Sequence, residues 1–94
     1  MNDTSVLFNP GFIVCTPGAL RALTLAQISG QALIDRHLSG DFGEIDDEDR
    51  ERNLVAIEEG ARVLSSYRLP SQTVVWVITE ADRSATTLLL PSEC

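Results

Sequence analysis

The chain has 94 residues, of which 44% are hydrophobic and 22% are charged, and it carries a formal net charge of −7. This length fits one domain with one hydrophobic core, and the apolar content is too high for a disordered chain. No run approaches the roughly 18 to 20 apolar residues that span a bilayer, and the first residues lack the basic flank of a secretory signal. We therefore expect a cytoplasmic protein without a membrane segment, whose two cysteines, Cys15 and Cys94, are reduced thiols.

The N-terminal ten residues are mostly polar and end in Asn-Pro. We expect residues 1–10 to form a flexible arm ahead of a single domain over residues 11–94. The aromatic and β-branched run 12–15 predicts a first strand, because it is bounded by a glycine and by Thr-Pro.

Three helices are predicted from their capping residues and from apolar spacing. Thr16 fits the N-cap of the first, Ser29 caps a second that ends near Gly40, and Asp46 caps a third that continues to Glu59. The residues expected on their core side are Leu20, Leu23, Leu25, Ile28, Leu33, Ile34, Leu38, Leu54, Ile57 and Ala61.

The last third of the chain changes to a period of two. Residues 63–69 alternate, residues 73–79 are apolar on both faces, and residues 85–90 form a last apolar run before a proline. The connection 80–84 is expected to be a turn held by a local Asp82–Arg83 hydrogen-bond set. The predicted fold is α+β, with a three-stranded antiparallel meander at the C-terminus, which the N-terminal strand could join, packed against about three short helices.

The acidic segment, residues 41–59, holds the whole net charge. Its nine carboxylates face only Arg50 and Arg52, which leaves −7, while the other five acids and five arginines of the chain cancel. The candidate partner-binding residues are Asp41, Phe42, Glu44, Asp46, Asp47, Glu48, Asp49, Glu51, Glu58 and Glu59.

Two interpretations of this segment stay open. Acids in the first turn of a helix are favoured by its dipole, and most charge runs are solvated faces. Glu58 and Glu59 lie at the opposite end, where the dipole opposes them unless Arg62 compensates. Seven carboxylates between residues 41 and 51 approach the line charge of a nucleic acid, which favours a partner with a basic groove. Phe42 would either anchor the turn in the core or contact the partner, and Asp46/Arg50 and Glu48/Arg52 have the spacing of helical ion pairs.

The sequence offers little for catalysis. The single histidine, His37, has no nucleophile motif or ligand set beside it, so we expect it to be structural and the protein not to be an enzyme. The carboxylates from Asp41 to Asp47 miss the EF-hand spacing, because Gly43 and Ile45 occupy ligand positions, and no glycine-rich phosphate loop is present. We expect no metal, no cofactor and no direct contact with nucleic acid.

Four stretches resemble a family of small bacterial proteins known only as plasmid-related and carried on mobile elements. They are residues 16–20, 36–43, 78–87 and 89–91, the last followed by Glu93, and the likeness covers about residues 9–93. The family supplies no established activity. It implies a bacterial host cell and a setting in which small acidic proteins often inhibit host defence, as anti-CRISPR and anti-restriction proteins do.

The leading hypothesis is therefore a non-enzymatic inhibitor or binding protein that presents the acidic segment, as a mimic of nucleic acid, to a basic groove of a defence effector. The alternative is an accessory or regulatory protein of a mobile element that self-associates, for instance as a homodimer, through an apolar patch, with the acids serving only solubility.

Overall fold

The computed structural model describes residues 6–94 and shows an α+β fold, as predicted. Its elements are β1 (Phe12–Cys15), α1 (Pro17–Ala26), α2 (Gly30–Leu38), α3 (Asp47–Glu59), β2 (Val63–Arg68), β3 (Val74–Thr79), β4 (Ala85–Leu89) and a final 3-10 turn (Pro91–Glu93). The sheet has the order β1-β4-β3-β2. β2, β3 and β4 form the antiparallel meander, and β1 joins it in parallel beside β4.

The helices begin at the predicted caps. The side chain of Thr16 accepts a hydrogen bond from the backbone N–H of Ala19 (3.2 Å), and Ser29 accepts from Gln31 (3.1 Å). Asp46 accepts from the N–H of Asp49 at 2.8 Å. Each contact satisfies one of the N–H groups that a first helical turn leaves without a partner, so these residues fix where the helices start.

The helices and the sheet form two layers around one core. Alternate residues of the strands point toward α1 and α2, and this side is called the helix face. Its residues are Ile13, Cys15, Val63, Ser65, Tyr67, Val75, Val77, Thr79, Thr86 and Leu88. On α1 the core residues are Ala19 and Leu23. Leu20 and Leu25, which we expected in the core, are exposed, Leu25 by 78%. Leu20 lies about 100° around the helix from Ala19, and Leu25 lies about 160° around it from Leu23.

The buried stripe of α3 is also shifted from the prediction. Asn53 and Ala56 are buried, whereas Leu54 is exposed. The cause is a pair of hydrogen bonds from Asn53 to the backbone of β2: Nδ2 donates to the carbonyl of Leu64 (2.7 Å) and Oδ1 accepts from its N–H (3.1 Å). A polar residue therefore faces the sheet because a strand edge needs hydrogen-bond partners.

The domain boundary predicted at residue 10 is too late. Phe8 is buried with its ring edge against His37, Leu7 donates its N–H to the carbonyl of Leu38, and the carbonyl of Pro10 accepts from Thr86. Residues 6–10 therefore belong to the packed domain. The rest of the predicted arm, residues 1–5, lies outside the described residues.

Arg83 closes the C-terminal end of α3. Its guanidinium donates to the carbonyls of Ala61 (2.7 Å) and Ala56 (3.1 Å) instead of forming the predicted set with Asp82, whose carboxylate accepts from the N–H of Ser84. A cation at the carbonyl end of a helix offsets the dipole there. Arg83 thus does what we had assigned to Arg62, which pairs with Glu80.

Across residues 6–94, no helix is long and apolar enough to cross a membrane.

Candidate interaction surfaces

Arginines of the same chain neutralise part of the acidic segment. Arg36 pairs with Asp41 (2.7 Å), Arg68 pairs with Glu44 (3.1 Å), and Arg52 lies between Glu48 (3.5 Å) and Asp49 (3.0 Å). The expected Glu48/Arg52 pair is therefore present, while Asp46/Arg50 is not among the ion pairs of the described residues. The carboxylate of Asp46 instead caps α3 by accepting from the N–H of Asp49. These contacts interrupt the array of free carboxylates on which mimicry of a nucleic acid would depend.

Asp41 and Phe42 have structural roles in the turn before α3. The Asp41 carboxylate accepts from Arg36 and from the N–H of Gly43, and the hydrogen bond from Arg36 lowers its pKa. The carbonyl of Asp41 accepts from the hydroxyl of Tyr67 at 2.6 Å. Phe42 is only 3% exposed and belongs to the hydrophobic core. Its inclusion among the partner-binding residues is therefore wrong, because its side chain is the buried anchor of the turn.

Four acids of α3 keep an exposed carboxylate without an ion pair in residues 6–94. They are Asp47, Glu51, Glu58 and Glu59. Glu51 and Glu59 line a shallow groove along the helix together with Val55 and Arg52. This smaller group is what remains of the predicted acidic surface.

His37 is the centre of a buried chain of hydrogen bonds that joins α2 to the sheet. Its Nδ1 lies 2.6 Å from Ser65 Oγ on β2, and its Nε2 lies 2.9 Å from Thr79 Oγ1 on β3. Thr79 Oγ1 lies 2.6 Å from Thr86 Oγ1 on β4, which donates to the carbonyl of Pro10 (2.7 Å). Every polar side-chain atom of this network has a partner.

The carbonyl of Pro10, where this series of hydrogen bonds ends, fixes which atom donates in each of them. Thr86 must donate to it, so Thr79 donates to Thr86 and has only a lone pair left for His37. The imidazole therefore carries its proton on Nε2, and Nδ1 accepts from Ser65. Burial, with a contribution from the charge of Arg83, lowers the pKa of His37 to about 4, so the ring is neutral at pH 7.

This hydroxyl–imidazole pair has the composition of a nucleophile and its base, but its surroundings are structural. His37, Ser65, Thr79 and Thr86 are all fully buried. The rings of Phe8 and Phe42 stand edge-on to the imidazole at centroid distances of 5.2 and 6.4 Å. A substrate could reach Ser65 only after the core had opened. The arrangement supports the expected structural role for His37.

The second face of the sheet, called the open face, is a surface that the sequence pattern does not reveal. It is formed by the alternate residues Phe12, Val14, Leu64, Ser66, Arg68, Val74, Trp76, Ile78, Ala85, Thr87 and Leu89. Ile78 and Leu89 are buried among their neighbours on this face, at 9% and 7% exposed. None of the open-face residues belongs to the hydrophobic core cluster, whose helical members all pack on the helix face. No helix within residues 6–94 covers the open face.

The open face is apolar where an exposed sheet face is normally polar. In antiparallel sheets with one solvated side, residues alternate between hydrophobic inside and polar outside. Here Trp76 is half-buried, with Leu89 opposite it in register, and Phe12 is 81% exposed. Arg68 is the charged residue of this face, and it is paired with Glu44. The signal available in the sequence is the run 73–79, in which the residues on both faces of the strand are apolar. This pattern led us to predict a central position in the sheet.

A second set of side-chain hydrogen bonds joins the C-terminal 3-10 turn to the start of α1. Besides the His37 network, the Glu93 carboxylate accepts from Thr16 Oγ1 and from the N–H of Gly18 (3.0 Å), which lowers its pKa. A Cβ at position 18 would collide with this carboxylate. The last residues of the chain are thereby fastened to the start of α1.

Within residues 6–94, no three His, Cys, Asp or Glu side chains are arranged to hold a metal ion. Cys15 and Cys94 are both free and exposed. No protein-family model, curated protein or solved structure matches the chain.

Proposed function

We propose that the protein is a non-enzymatic binding protein and that the open face of its sheet is the surface that holds its partner. The observation that carries this proposal is the two-layer architecture, which leaves an apolar sheet face with Trp76 at its centre outside the core. Large apolar patches rimmed by polar groups mark protein-interaction sites, and tryptophan is among the residues most enriched where binding energy concentrates.

The chemistry of the open face defines the class of partner. Ser66 and Thr87 offer hydroxyl groups among apolar side chains, and the one cation, Arg68, is engaged by Glu44. A charged ligand would find no free counter-charge there, whereas an uncharged apolar protein surface would bury the indole without leaving a charge unpaired. The partner we propose is a folded protein with such a surface, met in the cytoplasm of a bacterial host.

The absence of catalysis is part of the same proposal. The side chains in this molecule that most resemble a catalytic pair, Ser65 and His37, are used to join α2 to the sheet. Their burial and the direction of their hydrogen bonds support a structural role.

The second candidate function is the one predicted from the sequence, in which a mobile-element protein inhibits a host defence effector through its acidic surface. The favouring observation is that Asp47, Glu51, Glu58 and Glu59 form no ion pair within the described residues. Binding of this kind would use electrostatic steering and would weaken strongly with added salt.

A capture experiment with matched variants separates the two candidates. Tagged protein is exposed to host lysate, the retained proteins are identified by mass spectrometry, and the affinity of each is then measured with purified components. For the open face we expect Trp76→Thr to weaken the partner's affinity at least about 30-fold, the loss of a binding hot spot. Leu25→Ala is the control, because it removes an exposed apolar side chain from the helix layer.

The fourfold charge reversal Asp47→Lys, Glu51→Lys, Glu58→Lys and Glu59→Lys tests the second candidate. A partner lost by this variant and by high salt, but retained by Trp76→Thr, would support the acidic surface and contradict the open-face proposal. Equal binding by Trp76→Thr and wild type, with Trp76→Thr shown to be folded, would be enough to reject the open face.

A further inference from the structure

The two edge strands of the sheet, β2 and β1, differ in whether their outward backbone groups have hydrogen-bond partners. On β2 the outward backbone groups of Leu64 and Ser66 are occupied. The side chain of Asn53 bonds the N–H and the carbonyl of Leu64. The N–H of Ser66 donates to the carbonyl of Phe42 (3.0 Å), and the carbonyl of Ser66 accepts from the N–H of Glu44 (2.7 Å). Proteins commonly cover edges in this way, because an unpaired edge is a template for another strand.

The edge of β1 has no such cover in residues 6–94. The N–H of Phe12 donates to Ser84 and that of Thr16 donates to Leu88, both at 3.0 Å, on the β4 side. Backbone direction alternates along a strand, so the N–H and carbonyl groups of Ile13 and Cys15 point away from β4. The strand Phe-Ile-Val-Cys is exposed at all four positions and has no charge, proline or bulge to block pairing.

We propose that this edge pairs with the same edge of a second copy, β1 antiparallel to β1, to form a dimer with one continuous sheet. The contact is independent of the partner proposed for the open face. Its axis is a twofold perpendicular to the sheet, since that operation sets two neighbouring strands antiparallel while keeping both open faces on the same side.

The chain itself selects one register for this pairing. With Val14 opposite Val14 of the second copy, Ile13 of each copy lies opposite Cys15 of the other. The outward N–H groups of these two residues, four in the dimer, then each donate to a carbonyl of the opposite strand. A shift toward the helix would bring Pro17, which has no N–H, into the ladder. A shift the other way would use Gly11, whose N–H is already bonded to Asn9 Oδ1 at 2.9 Å.

The distribution of charge permits two acidic molecules to meet at this edge. β1 and its neighbour β4 contain no charged residue, and α3 packs at β2, on the opposite edge. Strands are spaced about 4.8 Å apart, so the two β2 strands of the dimer would be about 34 Å from each other. That is roughly four times the Debye length of about 8 Å at physiological ionic strength, so the acidic surfaces barely repel each other.

The first test is the oligomeric state of the full chain as a function of concentration, by sedimentation or light scattering. Four-residue pairing is a small interface, so we expect a dimer in the micromolar range. Ile13→Pro removes an outward N–H without touching the bonds to β4, and should raise the dimer dissociation constant at least about tenfold. Ile13→Ala loses a similar apolar side chain but keeps the N–H, and should have a smaller effect.

The second test fixes the register by cross-linking. In a background of Cys15→Ala and Cys94→Ala, Val14→Cys places two thiols at a non-hydrogen-bonded pair with Cα atoms about 4.5 Å apart, within disulfide range. Phe12→Cys is the control, because its counterparts are four residues out of register, about 13 Å, although Phe12 is the more exposed residue.

Rapid cross-linking of Val14→Cys alone would establish the pairing. A chain that stays monomeric at millimolar concentration would overturn it, as would a dimer that tolerates Ile13→Pro or that cross-links equally well through Phe12→Cys.

Discussion

Acidification should destabilise this protein from about pH 6.5 downward, because of His37. The native state holds the imidazole neutral, with a pKa of about 4 in place of 6.5. Below pH 6.5 the unfolded chain therefore binds a proton at His37 that the native chain does not bind. The free energy of unfolding consequently falls as pH decreases from 6.5 to about 4. Above pH 6.5 this contribution is fully present.

The size of the effect follows from the shift in pKa. A pKa of about 4 in place of 6.5, at about 1.4 kcal/mol for each tenfold change in proton affinity, corresponds to about 3 kcal/mol, against a total of roughly 5–15 kcal/mol for a small domain. The carboxyl groups of Asp41, Asp82 and Glu93 also have lowered pKa values, but they start from ordinary values of 3.8 and 4.5. Their loss of stabilisation therefore begins at lower pH, so that among these groups the fall in stability between pH 6.5 and about 5 belongs mainly to His37.

The assay uses the fact that the chain has one histidine. Nuclear magnetic resonance of a ¹⁵N-labelled imidazole reports both its pKa and its tautomer, and urea unfolding at several pH values reports the free energy. We expect a neutral ring with its proton on Nε2 down to about pH 4, and a titration near 6.5 in the urea-unfolded chain. A native ring that titrates near 6.5, or that carries its proton on Nδ1, would refute the account of the buried network.

Two further substitutions test the contacts that join the layers. Asn53→Ala leaves both backbone groups of Leu64 without a partner and should lower the free energy of unfolding by about 1–3 kcal/mol in urea titrations. Asn53→Asp should lose at least as much, because its second carboxylate oxygen has no hydrogen to donate to the carbonyl of Leu64; an unchanged midpoint for Asn53→Ala would contradict this. Gly18→Ala should destabilise the wild type by displacing Glu93, yet be neutral or stabilising by up to about 1 kcal/mol in a Glu93→Ala background, where alanine's better helix propensity is all that remains. Equal effects of Gly18→Ala in both backgrounds would show that the two residues do not interact.

Local signals predicted the elements of this fold well. A short polar side chain directly before a segment of helical apolar spacing is typical of an N-cap, and this pattern located Thr16, Ser29 and Asp46. The alternation of residues 63–69 predicted a strand with one buried face. The same local view misplaced Leu20, Leu25 and the stripe of α3.

Those errors share a physical cause. Which side of a helix is buried depends on the sheet it meets, and the choice of Asn53 over Leu54 reflects the unpaired backbone of a strand that lies eleven residues further along the chain. No periodicity in residues 47–59 contains that information. The packing of Phe8 was missed for the same reason, since its contacts, His37 and Arg83, are remote in sequence.

The candidate site was harder to predict than the fold. A charge run is visible in a sequence, but the arginines that neutralise it are not: Arg36 and Arg68 reach Asp41 and Glu44 only through the turn that Phe42 anchors. The open face was hidden for the opposite reason, because an apolar residue in a strand gives no sign of whether a helix covers it.

The open face of the sheet is the surface that we propose for binding. Its most direct test is a methyl map of the complex between this protein and the partner retained by capture, with side-chain methyl resonances compared before and after binding. We expect the shifts to concentrate on the methyl groups of the open face, Val14, Val74, Ile78 and Leu89, while the core methyl resonances of Ile34 and Val77 stay unchanged. Shifts confined to Leu54 and Val55 on α3, with the sheet methyls unmoved, would contradict it.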